Sequence, residues 1–482
     1  MIISPVYTFS SKSLVDGFGR VFFEDGEVYR AIYDSESGFC NTLIQSPLFQ
    51  KLLENKWIPK TSLTTKQVPG YGMVLHHEKL QEILPHEWSF DMMKDATILV
   101  WNINNLCNEY GYELKDGHCF NILFRGTQPV LADIGSIAIR KLPDSWIAYE
   151  EYLESFVIPL NCWSAGMIYF TRAILGNNTA GVTTIPSQTL GNSGALQMIP
   201  NMELNFEFAV KRKRIFRLKK DNKLLKGIVS AGNKLASLLL SRPSAILHFG
   251  LPLGPVWKKS PFFNKSSLLN NLQQLPAPGN NSAWQNYHRQ AFAKDGQIVY
   301  SDRFHKIADL IQGYPDIRYV IDLAGNEGYF CNLLAENQQI EKIILSDFDE
   351  NAVNSAYQRF KMQHDSRLHT VLLNFMLPRD PSDTSSRLKC DLAVALAVTH
   401  HLILGSRFSI DAIFERVSLY SRKYVLIEFM PIGLWGGEED IKPVPDWYHV
   451  DWFREHFQKY FFLVHEEQTE KNRIMFFGTI RK

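Results

Sequence analysis

Residues 286 to 482 predict an α/β fold built on a doubly wound, mainly parallel sheet. Short apolar runs alternate there with amphipathic segments, the pattern of repeated strand–helix units. The run "RYVIDL" is apolar enough to be a strand buried on both faces. The last residues, "YFFLVHEEQTEKNRIMFFGTIRK", are two strand-like runs joined by a polar turn, which predicts a terminal hairpin.

The first helices of this region have clear apolar stripes. In "DRFHKIADLIQGYP", the predicted core face comprises Phe304, Ile307, Leu310 and Ile311, and Gly313 and Pro315 end the helix. A second strand, "KIILSDFD", leads into "ENAVNSAYQRF", for which Asp349 is the predicted N-cap. The predicted core face of that helix comprises Val353, Ala356, Tyr357 and Phe360.

The whole chain has 482 residues, which suggests two or three domains. Residues 1–140 mix strand-like pieces with helices, and residues 141–285 are mostly helix and loop, ending in the linker-like "PAPGNNSAW". The formal net charge of +1 gives no overall attraction to nucleic acid. Because we find neither a secretory signal nor a long apolar run, we expect a cytoplasmic protein.

The stretch "VIDLAGNEGYF", residues 320–330, is the first candidate site. A buried strand ends in an acid, and a turn of small residues leads into a helix. In isolation such a turn is either a cofactor site or a plain strand–helix corner. The G-x-G-x-x-G spacing of a dinucleotide site is absent.

This turn resembles motif I of class I S-adenosylmethionine (SAM) methyltransferases, an acid followed by G-x-G-x-G. The resemblance implies SAM as the cofactor. It also implies that Asp347, nineteen residues after Gly328, accepts hydrogen bonds from the ribose hydroxyls, and that Asn374 contacts the adenine. Alanine and asparagine stand where the family usually has its first two glycines. The implied cofactor-binding residues are Asp322, Ala324, Gly325, Asn326, Gly328, Asp347 and Asn374.

The order of the later segments extends the resemblance over about 190 residues. "VLLNF", "CDLAVALAVTHHL" and "KYVLIEFMP" correspond to the third, fourth and fifth strands of the family. The terminal hairpin is typical of the methyltransferase sheet, whereas a dehydrogenase-type Rossmann domain does not usually end so. We therefore expect a Rossmann-like methyltransferase domain over residues 286–482.

Methyl transfer to oxygen needs an aligned acceptor and a base. His400 and His401 follow the fourth strand, and either is a candidate base, although a histidine there often only bonds the loop backbone. Glu428, which ends the fifth strand, is a candidate for orienting a histidine or binding the acceptor; a role in holding the rim of the sheet is the alternative.

The stretch "LKDGHCFNILFRGTQPVLADIGSI", residues 114–137, resembles the catalytic loop of kinases and aminoglycoside-type phosphotransferases. The resemblance implies an N-terminal α+β kinase-like domain that continues into residues 141–285. In an active kinase, Asp116 would be the base, and Asn121 and Asp133 would hold magnesium beside ATP. Leu114 replaces the usual histidine, and Arg30 is the nearest substitute for the nucleotide-binding lysine, so a degenerate scaffold is favoured.

A kinase-like N-terminal domain followed by a methyltransferase-like C-terminal domain resembles a bacterial group of proteins associated with surface-glycan and nodulation-factor modification. The resemblance implies a sugar hydroxyl or glycan-linked acceptor, and hence polysaccharide modification. The leading interpretation is a SAM-dependent O-methyltransferase. The alternatives are a bifunctional kinase and methyltransferase that modifies a glycan end, and a catalytically silent partner that binds SAM.

The basic stretch "KRKRIFRLKKDNKLLK", residues 211–226, is open to two interpretations. The plain one is a solvated helix face or loop. The other is contact with an anionic surface, such as phospholipid headgroups of the inner membrane or a glycan-assembly partner.

Overall fold

A computed structural model describes residues 7–10, 13, 16–141, 146–176, 265–278, 293–294, 297–434 and 443–481. The chain divides into two compact units. The first comprises residues 1–80, 93–123 and 129–279, and the second comprises residues 81–92, 124–128 and 280–482. The predicted limits of 140 and 285 as borders of independently folding domains stay a prediction.

The helices and strands of the N-terminal half are mostly short. The strands are β1 (Gly19–Glu24), β2 (Glu27–Ile32), β3 (Thr61–Leu63), β4 (Met73–His77), β5 (Tyr112–Leu114), β6 (Ile122–Arg125), β7 (Gln128–Leu131) and β8 (Ile137–Ile139). The helices are α1 (Asp34–Ile44), α2 (Pro47–Glu54), α3 (Phe90–Glu109), α4 (Tyr149–Tyr152), α5 (Ile158–Ser164) and α6 (Ile168–Leu175), with a π-helical turn, Leu153–Val157, between α4 and α5.

The remaining elements alternate in the predicted way. The helices are α7 (Lys265–Gln274), α8 (Asp302–Gln312), α9 (Tyr329–Leu334), α10 (Glu350–Gln363), α11 (Pro381–Leu388), α12 (Ile410–Leu419) and α13 (Val450–Tyr460). The strands are β9 (Ala293–Lys294), β10 (Gln297–Ile298), β11 (Tyr319–Leu323), β12 (Lys342–Asp347), β13 (Leu368–Leu372), β14 (Cys390–Ala395), β15 (Ser421–Phe429), β16 (Phe461–Glu470) and β17 (Arg473–Ile480).

Seven of these strands form one sheet in the order β13-β12-β11-β14-β15-β17-β16. The strands β13, β12, β11, β14 and β15 are parallel to one another, and β17 is antiparallel to both β15 and β16. The predicted doubly wound sheet with an antiparallel terminal hairpin is thus confirmed. Since the strand order reverses between β11 and β14, the carboxyl ends of these two strands are where a ligand site is expected.

The helices that flank the site follow their sequence patterns. Phe304, Ile307 and Ile311 of α8 are buried, as predicted, and Leu310 is partly buried against the same core. The predicted apolar stripe of α10 is buried in full, and Asp349 caps that helix by accepting from the amides of Asn351 at 2.9 Å and Ala352 at 3.3 Å.

The third strand of the sheet begins earlier than the "VLLNF" pattern suggests. It runs from Leu368 to Leu372, so Asn374 lies two residues beyond its end. The reason is local: His364 ends α10 in a left-handed conformation, and Asp365 then accepts from the amide of Arg367 at 2.9 Å. This tight turn starts the strand directly at residue 368.

The first unit contains a four-stranded antiparallel sheet in the order β1-β2-β4-β3. The hairpin β1–β2 turns through Asp25 and Gly26, both at positive φ, which matches the twist of a two-residue hairpin. The kinase-like nature of this unit stays a prediction. The basic stretch 211–226 lies outside the described residues. Within the described ranges, no helix is long and apolar enough to cross a membrane.

Candidate active site

The turn between β11 and α9 has a left-handed backbone at alternate positions. Ala324, Asn326 and Gly328 have φ values of 60°, 53° and 73°. Gly325 is held tightly between them, because a Cβ there would lie 2.4 Å from Asp322 Oδ2 and 2.6 Å from Leu345 Cδ1. The backbone therefore repeats the alternation of a G-x-G-x-G turn, although two of its three left-handed residues carry a side chain.

Asp322 ends β11 beneath this turn and is almost fully buried. Its Oδ2 accepts from the Cys331 thiol at 3.6 Å, and its Oδ1 has no partner in the described part of the chain. Burial raises the pKa of Asp322 to about 7, and the nearby carboxylate of Asp347 adds to the shift. Burial thus favours the protonated form of this carboxyl more than water does.

Asp347 ends β12 and points at the same turn. Its Oδ2 accepts from the amide of Asn326 at 2.8 Å, and its Oδ1 accepts from the amide of Asp349 at 2.8 Å. Burial raises the pKa of Asp347 to about 6, against the effect of these two hydrogen bonds. A carboxylate has about four acceptor positions, so Asp347 retains capacity for a further donor.

Two further side chains lie where β12 and β13 end. Phe348 directly follows Asp347 and is 60% exposed, which is unusual for a phenylalanine beside a buried carboxylate. Asn374 closes its own turn, since its Oδ1 accepts from the amides of Met376 at 3.1 Å and Leu377 at 3.2 Å. Its side-chain amide, rather than its oxygen, is thus the group left to contact a ligand.

The two candidate histidines follow β14 in a short helical turn. His400 is 5% exposed, and its Nδ1 has no hydrogen-bond partner among the described residues. His401 is partly exposed, and the two rings lie 3.9 Å apart between centroids. Burial, with smaller effects of His401 and Arg473, lowers the pKa of His400 to about 3, and burial also lowers that of His401. Both imidazoles are therefore neutral at neutral pH, and a pKa of about 3 makes His400 a weak proton acceptor.

The carboxylate of Glu428 is already engaged by other groups of the protein and is not free to contact a ligand at this edge. It is fully buried and accepts from Arg303 Nη1 at 3.0 and 2.8 Å and from the amide of Ala397 at 3.0 Å. The hydroxyl of Thr399 donates to its carbonyl oxygen at 2.7 Å. These contacts favour the rim-holding role for Glu428 over direct contact with an acceptor.

No protein-family model matches the chain. The nodulation protein NoeA of Rhizobium meliloti (strain 1021) is 26% identical over 375 residues, covering 74% of this chain and 71% of NoeA. At this identity NoeA is a distant relative.

Solved structures similar to this chain include SAM-dependent methyltransferases. Magnesium protoporphyrin IX methyltransferase from Synechocystis PCC 6803, with bound SAM, is 14% identical; the match covers 42% of this chain and 93% of that one, with a TM-score of 0.31. The methyltransferase domain of bacterial CtHen1 is 18% identical, covering 37% of this chain and 96% of that one, with a TM-score of 0.29. Scores at this level support no inference about function.

The residues implied by the kinase resemblance lie in the first unit. Asp133 pairs with Arg30 Nη1 at 2.5 Å and also accepts from the hydroxyl of Ser136 at 3.1 Å. Asn121 donates to that same hydroxyl at 3.0 Å. Burial raises the pKa of Asp116, and the neighbouring charge of Asp133 adds to the shift. The structure thus connects Asn121 and Asp133 through one serine.

This arrangement does not fit magnesium. A magnesium site needs carboxylate oxygens that face the ion, whereas Asp133 is already neutralised by a buried guanidinium. Within the described ranges, no group of three or more His, Cys, Asp or Glu side chains is arranged to hold a metal ion.

Some residues of the second unit were not found by sequence reasoning. Arg359 of α10 donates to the carbonyl of Glu327 and lies 4.2 Å from the centre of the Tyr329 ring, so it braces the turn after β11. Arg303 and Arg473 reach Glu428 across 125 and 45 residues of sequence. No local pattern predicts such contacts. Phe348 differs from these residues, because the sequence places this aromatic side chain directly after Asp347, a predicted cofactor-binding residue.

Proposed function

We propose that this chain is a SAM-dependent methyltransferase that methylates a hydroxyl group of a sugar or glycan-linked acceptor. The observation that carries the proposal is the position of Asp347. Its carboxylate ends β12 next to the point where the strand order reverses, and it bonds the amide of Asn326 in the turn after β11. A carboxylate at this edge is suited to two adjacent hydroxyls.

The chain's own residues fit each part of the cofactor. Asp347 would bind the ribose hydroxyls, and the side-chain amide of Asn374 and the exposed ring of Phe348 would contact the adenine. The turn of residues 324–328 would lie against the remaining part, since Ala324 and Gly328 carry only a methyl group and no side chain, respectively. SAM, when bound, supplies a methyl group already activated on a sulfonium.

The acceptor side of the proposal rests on the two histidines. A hydroxyl must lose its proton as the methyl group is transferred, and a neutral imidazole at the carboxyl edge can accept it. His400 and His401 are both kept neutral by burial. The sugar acceptor is supported by the sequence resemblance and by the distant relative, which is described as a nodulation protein.

Calorimetric titration with S-adenosylhomocysteine tests the cofactor assignment. We expect Asp347→Ala to weaken binding by about 100-fold or more, since hydrogen bonds to a charged group contribute about 1.5–3 kcal/mol each. The matched control is Asp380→Ala, which removes an exposed N-cap carboxylate of α11 at no cost to binding. Equal affinity of wild type and Asp347→Ala would refute the proposal.

Mass spectrometry of candidate glycans incubated with SAM separates an enzyme from a silent SAM-binding partner. For an enzyme we expect a gain of one methyl group that His400→Gln or His401→Gln reduces. A binding partner would bind S-adenosylhomocysteine and yet yield no methylated product with any acceptor. The bifunctional alternative gains no support, because Asp133 is paired with Arg30.

A further inference from the structure

A cluster of four charges lies beneath the edge that carries the histidines. Glu428 pairs with Arg303 Nη1 at 2.8 Å and with Arg473 Nη1 at 3.4 Å. Glu470 closes the cluster, since its carboxylate lies 2.9 Å from Arg473 Nε and 3.9 Å from Arg303 Nε. The side chains of Arg303 and Glu428 are 6% and 0% exposed, so this pair is almost completely withdrawn from water.

Glu428 also holds the backbone that leads to His400. Its carboxylate accepts from the amide of Ala397, and its carbonyl accepts from the hydroxyl of Thr399. Ala397 has a φ of 51°, a conformation that costs an alanine about 1–2 kcal/mol and persists only where surrounding contacts impose it. One glutamate thus fixes two residues of the turn immediately before His400.

We infer that Arg303, Glu428 and Arg473 form a positioning cluster that fixes residues 397–399 and thereby orients the His400 ring. A buried ion pair contributes little net stability, because desolvation offsets most of the attraction. What it does supply is a defined geometry. The two arginines hold the Glu428 carboxylate in the one orientation that meets the Ala397 amide.

The cluster also sets the electrostatic surroundings of His400. The groups that act electrostatically on this ring are His401 in its own turn and Arg473 of β17. Both lower the pKa of His400, in addition to the larger effect of burial. Arg473 therefore favours the neutral ring as well as holding Glu428. The catalytic purpose of the cluster rests on the proposed function; its effect on the turn does not.

Amide hydrogen exchange of the full chain, read by NMR, tests the inference. We compare the exchange rate of the Ala397 amide with that of Ile344, an amide in the middle of β12 that is distant in sequence from the cluster. In Arg473→Gln we expect the ratio of the two rates to rise about tenfold. In Arg473→Lys, which keeps the charge, most of the wild-type ratio should return.

The matched control is Arg481→Gln, which removes an arginine beyond the other end of β17 and should leave the ratio unchanged. A uniform loss of stability would accelerate both amides and leave their ratio constant, and that result would overturn the inference. Should Arg473→Gln not fold, Glu470→Gln removes only the partly exposed outer partner, and we expect about a threefold rise in the ratio. No rise there would likewise overturn it.

A second readout is the NMR titration of the His400 ring in histidine-labelled protein. The His400 signal is assigned as the one that disappears in His400→Gln. We expect the titration midpoint of His400 to move upward in Arg473→Gln and to stay in place in Arg481→Gln. Titration with S-adenosylhomocysteine on the same samples separates the two proposals. If His400 and Ala397 respond while nothing binds, the proposed function fails and the cluster stands. If the ligand binds but neither residue responds, the cluster alone fails.

Discussion

Asp322 and Asp347, at the carboxyl edge of the sheet, lie in surroundings that oppose their ionisation. Burial raises the pKa of Asp322 to about 7 and that of Asp347 to about 6, and the carboxylate of Asp347 adds to the shift of Asp322. Unlike an exposed aspartate, both groups exchange protons within one or two pH units of neutrality. A ligand that needs either of them ionised will therefore bind with a pH dependence.

We expect the affinity for S-adenosylhomocysteine to be constant above about pH 7 and to fall as the pH drops through 6. Only ionised Asp347 can accept from two ribose hydroxyls, and its pKa of about 6 means that binding at lower pH must first expel a proton. One proton per site gives up to about a tenfold loss per pH unit. Calorimetry between pH 5 and 8 measures this, and Asp347→Asn should remove the step.

The stability of the ligand-free protein should respond to the same two groups with the opposite sign. Because the folded-state pKa values lie above the ordinary value, folding favours the protonated forms, and the contribution of these groups to stability rises as the pH falls from about 7 towards 4.

For the binding measurement, an affinity for S-adenosylhomocysteine that rises on acidification would contradict the assignment of Asp347 as the ribose ligand.

At the scale of the element, the turn between β11 and α9 combines left-handed backbone with non-glycine residues. Asparagine tolerates this conformation, so Asn326 is at little disadvantage, whereas an alanine with a φ of 60° is strained. Arg359 and Asp347 impose the conformation through a carbonyl and an amide of the turn. The strain at Ala324 is thus balanced by contacts made elsewhere in the fold.

We expect Ala324→Gly to leave the free energy of unfolding unchanged or to raise it by about 1 kcal/mol. Relief of the left-handed strain, about 1–2 kcal/mol, outweighs the entropy that glycine loses on folding, about 0.5–1 kcal/mol. The control is Ala308→Gly inside α8, which should cost about 1 kcal/mol. Chemical denaturation of the two variants gives the comparison, and equal losses would count against the strained turn.

At the scale of the whole molecule, the second unit is assembled from three separate stretches of chain. Residues 81–92 and 124–128 belong to it together with residues 280–482. Glu87 accepts from Arg387 Nη2 at 2.7 Å, and both side chains are nearly buried. The hydroxyl of Tyr357 donates to the carbonyl of Thr127 at 2.7 Å. The second unit is therefore completed by side chains from far earlier in the chain, although its seven-stranded sheet is formed by residues 319–480 alone.

We expect a fragment of residues 280–482 to lack a cooperative thermal transition or to aggregate. It would lose Glu87, the partner of Arg387, together with the buried side chains of Trp88 and Phe90, and each large apolar side chain contributes about 1.5–3 kcal/mol when it is buried. Circular dichroism melts of the fragment and the full chain make the test. A fragment that melts at the full-chain temperature and binds S-adenosylhomocysteine equally well would disprove the dependence.

The sequence predicted much of the candidate cofactor site, because its parts are local. A buried run, the acid at its end and the small residues after it are adjacent in the chain, so the sequence shows Asp322 and the turn at 324–328 together, whereas the role of Asp347 follows from the resemblance to class I methyltransferases. Asn374 was expected at the end of its strand and lies two residues beyond, since a turn at residues 364–367 starts β13 earlier. Strand ends depend on such turns more than on hydrophobicity.

Sequence by itself determined the order of the strands in residues 319–480 and the positions of α8, α9 and α10, because hydrophobic period and capping act over a few neighbouring positions. Only the tertiary structure decided which charged side chains pair with each other: Glu428 pairs with Arg303 and Arg473, and Asp133 pairs with Arg30. The physical reason is that a buried charge is governed by whichever opposite charge folding brings within a few ångströms, and the distance between them along the chain carries no such information.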